Sequence, residues 1–359
     1  MDHRLPFHEV IPARKWQRKT DLGSFEYTYK AEITSIYRLT DYENLYRIRI
    51  IDHDDRKHFS FHPGQFIMLE VPGVGEAPFS ISSSPSNHED IELCIRTVGN
   101  LTAFLSRARR GMHVGLRGPF GTNFPMERMH NGHILLIAGG LGLAPLRSPI
   151  AHVQEHRSKF DHVDIVYGTK DPSRLLFKFQ YDMWKKDDIN LHIIMEKADP
   201  SWTGPVGLIT KVLEEIINSR DDSFIDNTYA IVCGPPVMFK FVCGELSERG
   251  VPMQKMFVSL ERRMHCGMGK CCRCNVGSTY TCLKGPVFDY WTVMNLKEAI
   301  RRKINACYRT KPRRHEELQR INNLLDLGKA LKLFFAALVA SAYECTARIQ
   351  AIARDRFAP

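Results

Sequence analysis

The chain has 359 residues, of which 43% are hydrophobic and 25% charged, with a formal net charge of +10. That length suits two domains and some additional elements, and that composition excludes wholesale disorder, collagen-like repeats and coiled-coil arrays. The charge is not spread evenly, because residues 301–359 hold 13 Lys and Arg against 5 Asp and Glu while the rest is nearly neutral.

Residues 1–24 mix Pro, Arg and Lys without periodicity and read as an extension without chemistry of its own. They contain no apolar stretch of the kind a secretory signal needs. From residue 25 to 125, short runs rich in β-branched and aromatic residues follow one another, among them Tyr46–Ile51, Gln65–Val71 and Ile91–Arg96. Turn signals at His62-Pro63-Gly64, Val71-Pro72-Gly73 and Gly118-Pro119-Phe120-Gly121 punctuate them, so the spacing predicts a small antiparallel barrel. Within it, Pro78, Phe79, Ser80 and Ile81 offer an aromatic face and hydroxyls for a ring or phosphate, or simply a strand with a Ser-rich turn. Gly99, Asn100, Leu101 and Thr102 precede an expected helix, Ala103–Arg110, whose first amides suit a phosphate. Arg96 lies just upstream, either as a charge-assisted phosphate contact or as a plain surface arginine.

Residues 126–255 change character. Ile134–Ala138 is an uninterrupted apolar run, as expected of a strand buried on both faces. Similar runs at Val163–Tyr167, Leu191–Met195 and Tyr229–Cys233 alternate with helix-compatible stretches such as Leu208–Asn218, which predicts a doubly wound parallel sheet. After the first run come Gly139, Gly140 and Gly142, then Pro145, a strand-to-helix turn suited to a dinucleotide pyrophosphate or to tight packing alone. Cys233, Gly234 and Pro235 follow another buried strand, where open α/β sheets bind ligands. Cys233 is thus a candidate neighbour of a nicotinamide ring, or a small core residue.

Five of the ten cysteines fall between Cys266 and Cys282. Residues 256–298 therefore read as a metal segment. Cys266, Cys271, Cys274 and Cys282 follow C-x4-C-x2-C-x7-C, which opens like the plant-type signature for a 2Fe–2S cluster. Gly267 and Gly269 let that loop turn tightly, and Cys272 is surplus. Structural zinc is the competing reading, since it also takes four thiolates.

The segment 299–359 is expected to be a basic tail, helical at Glu316–Leu327 and Lys329–Ile352. Its longest charge-free run, Leu333–Tyr343, has 11 residues, far short of the roughly 20 that cross a bilayer. A cytoplasmic protein without a transmembrane segment is expected. The basic tail is read as solvated surface, with RNA, an acidic partner or a membrane surface as alternatives, and no nucleic-acid role is expected of the protein.

Taken in this order, these residues resemble the ferredoxin–NADP reductase superfamily over roughly residues 25–295. The run Ser259–Cys271 (SLERRMHCGMGKC), closed by Cys282-Leu-Lys-Gly-Pro-Val-Phe288, is most similar to the gamma subunits of cytosolic nickel–iron hydrogenases. The same branch contains the electron-transfer subunits of anaerobic sulfite reductases and of dihydroorotate dehydrogenases. The resemblance implies an FAD-binding barrel, an NAD(P)H-binding α/β domain and a 2Fe–2S segment. It implies Pro78, Phe79, Ser80 and Ile81 at the isoalloxazine, and Gly99 to Thr102 on the FAD pyrophosphate. Gly139, Gly140, Gly142 and Pro145 would shape the dinucleotide turn, with Cys233, Gly234 and Pro235 bordering the nicotinamide. Cys266, Cys271, Cys274 and Cys282 would hold the cluster. Ala77 and Phe79 depart from the superfamily's Arg-x-Tyr-Ser signature, leaving Arg96 as the candidate for the missing charge.

A nicotinamide gives two electrons as a hydride and a cluster takes one, so a flavin is implied between them. Such a chain reduces no final substrate by itself and implies a hetero-oligomer with hydrogenase-type or reductase-type catalytic and iron–sulfur subunits. The alternative from another class is a zinc-stabilised nucleotide-binding module that carries no electrons.

Overall fold

Period-two patterning builds the first half of the molecule, seen here in a computed structural model that describes residues 27–296 except Ala198 and Asp221. The expected extension 1–24 and the expected tail helices lie outside the described residues. Six strands, β1 (Tyr29–Arg38), β2 (Glu43–Ile50), β3 (Phe66–Val71), β4 (Gly75–Ser80), β5 (Ile91–Arg96) and β6 (His113–Phe120), form one antiparallel sheet in the order β4-β3-β6-β1-β2-β5. Two short helices, α1 (His53–His58) and α2 (Asn100–Leu105), flank it. Tyr46, Ile48, Ile67, Leu69, Leu93 and Ile95 point into the curl of the sheet and are buried there. The two edges meet just beyond β4, where the Ser82 N–H donates to Glu92 O at 2.8 Å.

β3 and β5 do not alternate cleanly, because both of their faces are covered. The outward residues of β3, Phe66 and Met68, pack against the cysteine segment, and the outward Cys94 of β5 packs with Leu45 of β2 against the second domain. The helix expected at Ala103–Arg110 is displaced. It begins at Asn100, because Thr102 Oγ1 accepts the N–H groups of Val98 and Gly99 at 2.8 and 2.9 Å, and it ends at Leu105.

The second sheet is parallel through β9 (Asn190–Met195), β8 (Val163–Thr169), β7 (His133–Gly139), β10 (Thr228–Cys233) and β11 (Met256–Ser259). Leu136, Ala138, Ile165 and Ile231 face the helices α3 (Leu143–Glu155) and α4 (Tyr181–Lys186). Leu135, Ile137, Val166 and Val232 face α5 (Ile209–Asn218) and α7 (Pro236–Glu248), which α6 (Asp222–Asp226) precedes in part. Burial on both faces explains why these strands read as unbroken apolar runs. Among the described residues no helix is long and apolar enough to cross a membrane.

The cysteine segment is built into both domains. It contains the two-residue strands β12 (Asn275–Val276) and β13 (Thr279–Tyr280) and the short helix α8 (Thr281–Lys284), then returns as β14 (Val287–Asp289), followed by α9 (Tyr290–Asn295). β14 pairs antiparallel with β11, so the stretch read from the sequence as one metal segment contributes two strands, β11 and β14, to the second sheet. On the barrel side, the N–H and hydroxyl of Thr122 donate to the carbonyls of Gly285 (2.6 Å) and Val287 (2.8 Å). Gly121 has φ +79°, and a Cβ there would lie 2.6 Å from both Gly285 O and Pro286 Cδ. Gly121→Ala should therefore strain the backbone and wedge the segment off the barrel, with a loss of about 1–3 kcal/mol or more. A lower unfolding midpoint and faster proteolysis within residues 260–290 are the expected readouts.

Candidate functional site

The order of the second sheet reverses at β7. Its successor in sequence, β8, lies on one side and β10 on the other, which opens a crevice at the carboxyl ends of β7 and β10. Gly139 to Gly142 make the tight turn from β7 into α3, and Cys233, Gly234 and Pro235 leave β10 opposite them. The two turns touch through backbone. A Cβ on Gly142 would sit 2.0 Å from Cys233 O, and one on Gly139 would sit 2.7 Å from Met238 Sδ. Gly140, at φ +55°, faces open space instead. No side chain caps α3; the Leu143 N–H turns back to Gly140 O, and Pro145 lies in the first turn, where a missing N–H forfeits no helical bond. Cys233 is 1% exposed, and burial, then the charge of Glu261, keeps it a neutral thiol.

In the barrel, β4 pairs with β3 so that Ser80 lies opposite Phe66 and Pro78 opposite Met68. These four share one face. Phe79, opposite Ile67, lies on the other face and packs at the margin of the barrel core, together with Leu101 of α2. Ile81 is buried in that core. Gly99 and Asn100 are exposed and Thr102 is buried, with open space around Gly99 where a Cβ would stand. Arg96 is already engaged, its Nε paired with the buried carboxylate of Glu43.

The cysteine loop separates the surplus thiol from the other four. Cys272, at φ +56°, is exposed and lies 3.2 Å from Tyr280 Oη. Cys266 and Cys271 form one neighbouring pair, with the Cys271 N–H donating to Cys266 Sγ at 3.4 Å. Cys274 and Cys282 form a second, with sulfurs 3.3 Å apart. Further amides are aimed at sulfur, Met268 N–H to Cys266 (3.4 Å) and Gly269 N–H to Cys282 (3.1 Å). Gly269 permits this at φ +75°, where a Cβ would meet Leu283 Cδ1 at 2.4 Å. Burial disfavours the Cys266 thiolate, but the amides of Cys271 and Met268 outweigh it and bring the thiol down to about 7. Burial and the neighbouring Cys274 push Cys282 up to about 12, as expected of close thiols that need a cation to ionise together.

Two thiol pairs wrapped by amides fit a binuclear iron–sulfur centre, in which each iron takes two thiolates. Among the described residues no group of three or more His, Cys, Asp or Glu side chains is drawn together closely enough to hold a metal ion.

Contacts that local patterns do not announce join these parts. Phe66 and Met68, which share a face with Ser80 and Pro78, pack with Phe120, Met264, Cys274 and Cys282. The residues beside Ser80 and Pro78 on that face are thus themselves packed against the buried thiols. Arg117 grips Glu76 of β4 with two bonds, 2.7 and 2.8 Å, and donates to Cys266 O at 3.3 Å. Arg174 stacks 3.6 Å over the ring of Tyr42. Asp171 accepts from Ser173, whose hydroxyl holds its carboxyl below the usual range.

Comparison with known proteins agrees with this layout. Residues 31–124 match the oxidoreductase FAD-binding domain, 136–244 the oxidoreductase NAD-binding domain, and 261–294 the iron–sulfur cluster binding domain of dihydroorotate dehydrogenase B. The sulfhydrogenase 2 subunit gamma of Pyrococcus furiosus is 38% identical over 285 residues, 76% of this chain and 98% of that protein. The "Probable dihydroorotate dehydrogenase B (NAD(+)), electron transfer subunit" of Archaeoglobus fulgidus is 33% identical over 73% of this chain and 97% of its own length. A solved NADH-dependent reduced ferredoxin–NADP oxidoreductase shares the fold, with TM-score 0.58 at 22% identity over 77% of this chain and 96% of that one. Together these domains define a flavin- and nicotinamide-dependent oxidoreductase with an iron–sulfur segment. The chain belongs to the family of the sulfhydrogenase gamma and dihydroorotate dehydrogenase B electron transfer subunits.

Two glycines of the turn from β7 into α3 should respond differently to alanine. Gly142→Ala forces a carbon into the Cys233 carbonyl and should lower the unfolding midpoint sharply and abolish nucleotide binding. Gly140→Ala carries only the left-handed backbone penalty, about 1–2 kcal/mol, and should leave a folded protein. Thermal melts and nucleotide titration of the two variants check the contrast.

Proposed function

We propose that the protein passes electrons between NAD(P)H and a partner subunit through FAD held at β4 and a 2Fe–2S cluster held by Cys266, Cys271, Cys274 and Cys282. The reading rests above all on one face of the β3–β4 pair, where Phe66 and Met68 stand beside Ser80 and Pro78 and pack with Cys274 and Cys282. When bound, FAD supplies the exchange between two-electron hydride chemistry and the one-electron chemistry of the cluster.

The residues of the chain then bind and orient. The turn from Gly139 to Gly142, continued by Pro145, holds the dinucleotide pyrophosphate on backbone amides. Cys233, Gly234 and Pro235 border the nicotinamide, with Cys233 acting by size as a neutral thiol and not as an acid or base. Pro78 and Ser80 line the flavin ring site, with Phe79 and Ile81 backing them from the side of the barrel core, and Gly99 to Thr102 take the FAD pyrophosphate. Arg96, with its Nε on Glu43, adds positive charge next to that loop. Residues 25–125, 126–255 and 256–298 are the flavin, nucleotide and cluster regions, between the extension 1–24 and the tail 299–359.

The partner we favour is the catalytic and iron–sulfur part of a nickel–iron hydrogenase in the cytoplasm. The relative whose name carries a hydrogenase is 38% identical, against 33% for the dihydroorotate dehydrogenase relative of Archaeoglobus fulgidus. Purification under anaerobic conditions should yield flavin and about two irons per chain, bleached by NADH or by NADPH, whereas zinc without flavin defeats the reading. Cys274→Ser should remove the cluster absorbance and delivery to a one-electron acceptor, yet leave flavin reduction by the nucleotide in place. Retained iron and full delivery in that variant would contradict the ligand assignment.

A further inference from the structure

The contact between the two nucleotide-binding halves centres on a buried guanidinium. Arg147 projects from α3, five residues beyond Gly142, and is 9% exposed. Its Nη1 pairs with the carboxylate of Glu92 on β5 and donates to Ser82 O at 3.1 Å. Its Nε donates to Gln180 Oε1 at 2.6 Å, and its charge lies 5.0 Å from the centre of the Phe177 ring. Glu92, 4% exposed, is also held by Arg47 Nε at 2.6 Å. The loop that carries Ser82 is bonded to β5 in both directions, through Ser82 N–H to Glu92 O (2.8 Å) and Glu92 N–H to Ser83 Oγ (3.1 Å). Two turns further along α3, Glu155 accepts the hydroxyls of Ser84 (2.5 Å) and Ser86 (2.7 Å) from the same loop.

This helix begins at the dinucleotide turn, and this loop leaves β4 two residues after Ser80. We propose that Arg147 is a positioning residue for hydride transfer, fixing the register between the dinucleotide whose pyrophosphate is held at the start of α3 and the flavin held at β4. The proposal rests on the electron-transfer reading above. In the step it serves, the nicotinamide C4–H bond breaks and hydrogen leaves with both electrons to the flavin ring nitrogen. The nucleotide is oxidised and the flavin reduced, with no further reactant. Such a transfer depends steeply on distance and angle, and an error of about 1 Å can cost on the order of 100-fold. A buried charge with fixed acceptors suits this task better than the exposed Glu155 contacts, because salt and water screen it little.

The test compares the FAD- and cluster-loaded wild type with Arg147→Met, Arg147→Lys and Glu92→Gln, the last keeping side-chain shape while removing the charge. Arg147→Met and Glu92→Gln should slow flavin reduction per bound FAD by about 10- to 100-fold at saturating nucleotide, with little change in KM. Transfer from reduced flavin to cluster should stay at the wild-type rate. Arg147→Lys, able to reach one acceptor but not the fork, should fall between. Independently of turnover, NAD+ or NADP+ should slow hydrogen exchange of the 82–86 amides in the wild type and not in Arg147→Met. Wild-type reduction rates per bound flavin in the folded variants, even with a lowered melting temperature, would make Arg147 a merely structural residue and overturn the proposal. If Arg147→Met fails to fold, Glu92→Gln decides by the same criteria. A wild-type flavin that neither nucleotide reduces would overturn the electron-transfer reading itself, and the proposal with it.

Discussion

A guanidinium taken out of water must find acceptors, and Arg147 finds them in both halves of the molecule, on Glu92 and Ser82 of the barrel and on Gln180 of the α/β domain. Breaking a buried pair by removing one member leaves an uncompensated charge, at a cost of about 3–5 kcal/mol. The apolar contact around it, Leu45 and Cys94 against Tyr167, Leu176 and Phe177, is non-directional and could tolerate sliding. The ion pair supplies direction. Hydrophobic burial thus brings the halves together, and a few charge-assisted bonds decide at what angle.

The cysteine segment obeys a similar logic on the other side of the barrel. It has too few residues for a core of its own, so it borrows two: β14 extends the parallel sheet, and Met264, Cys274 and Cys282 lie on Phe66, Met68 and Phe120. Arg117 then fixes the carbonyl of Cys266 to the strand that carries Pro78 and Ser80. Barrel and cysteine loop are therefore joined by packed side chains in place of a hinge. The thiols themselves are prepared by backbone, since amides directed at Cys266 and Cys282 stabilise negative charge there without adding a side chain to the loop.

Much of this was legible because its signals are local. Runs of β-branched and aromatic residues between turn residues marked β2, β3 and β5, unbroken apolar runs marked β7 to β10, and the C-x4-C-x2-C-x7-C spacing marked the cluster loop. The helix expected at Ala103–Arg110 was displaced because one hydroxyl, that of Thr102, reaches back to two amides, and such a bond outweighs the weak propensity differences along the segment. The partner of Arg96, Glu43, lies 53 residues away, and only the pairing of β2 with β5 brings them together.

The sequence by itself determined the kinds of elements and their order, and with them the glycine turn and the cysteine spacing, because periodicity, glycine placement and cysteine spacing are properties of neighbouring residues. Only the tertiary structure decided how the parts face one another. The pairing of Arg147 with Glu92 spans 55 residues and that of Arg117 with Cys266 spans 149, and nothing in the local pattern around either arginine distinguishes it from a surface charge. Their partners exist only after the sheets have formed, since burial makes those hydrogen bonds obligatory and folding chooses which groups are buried together.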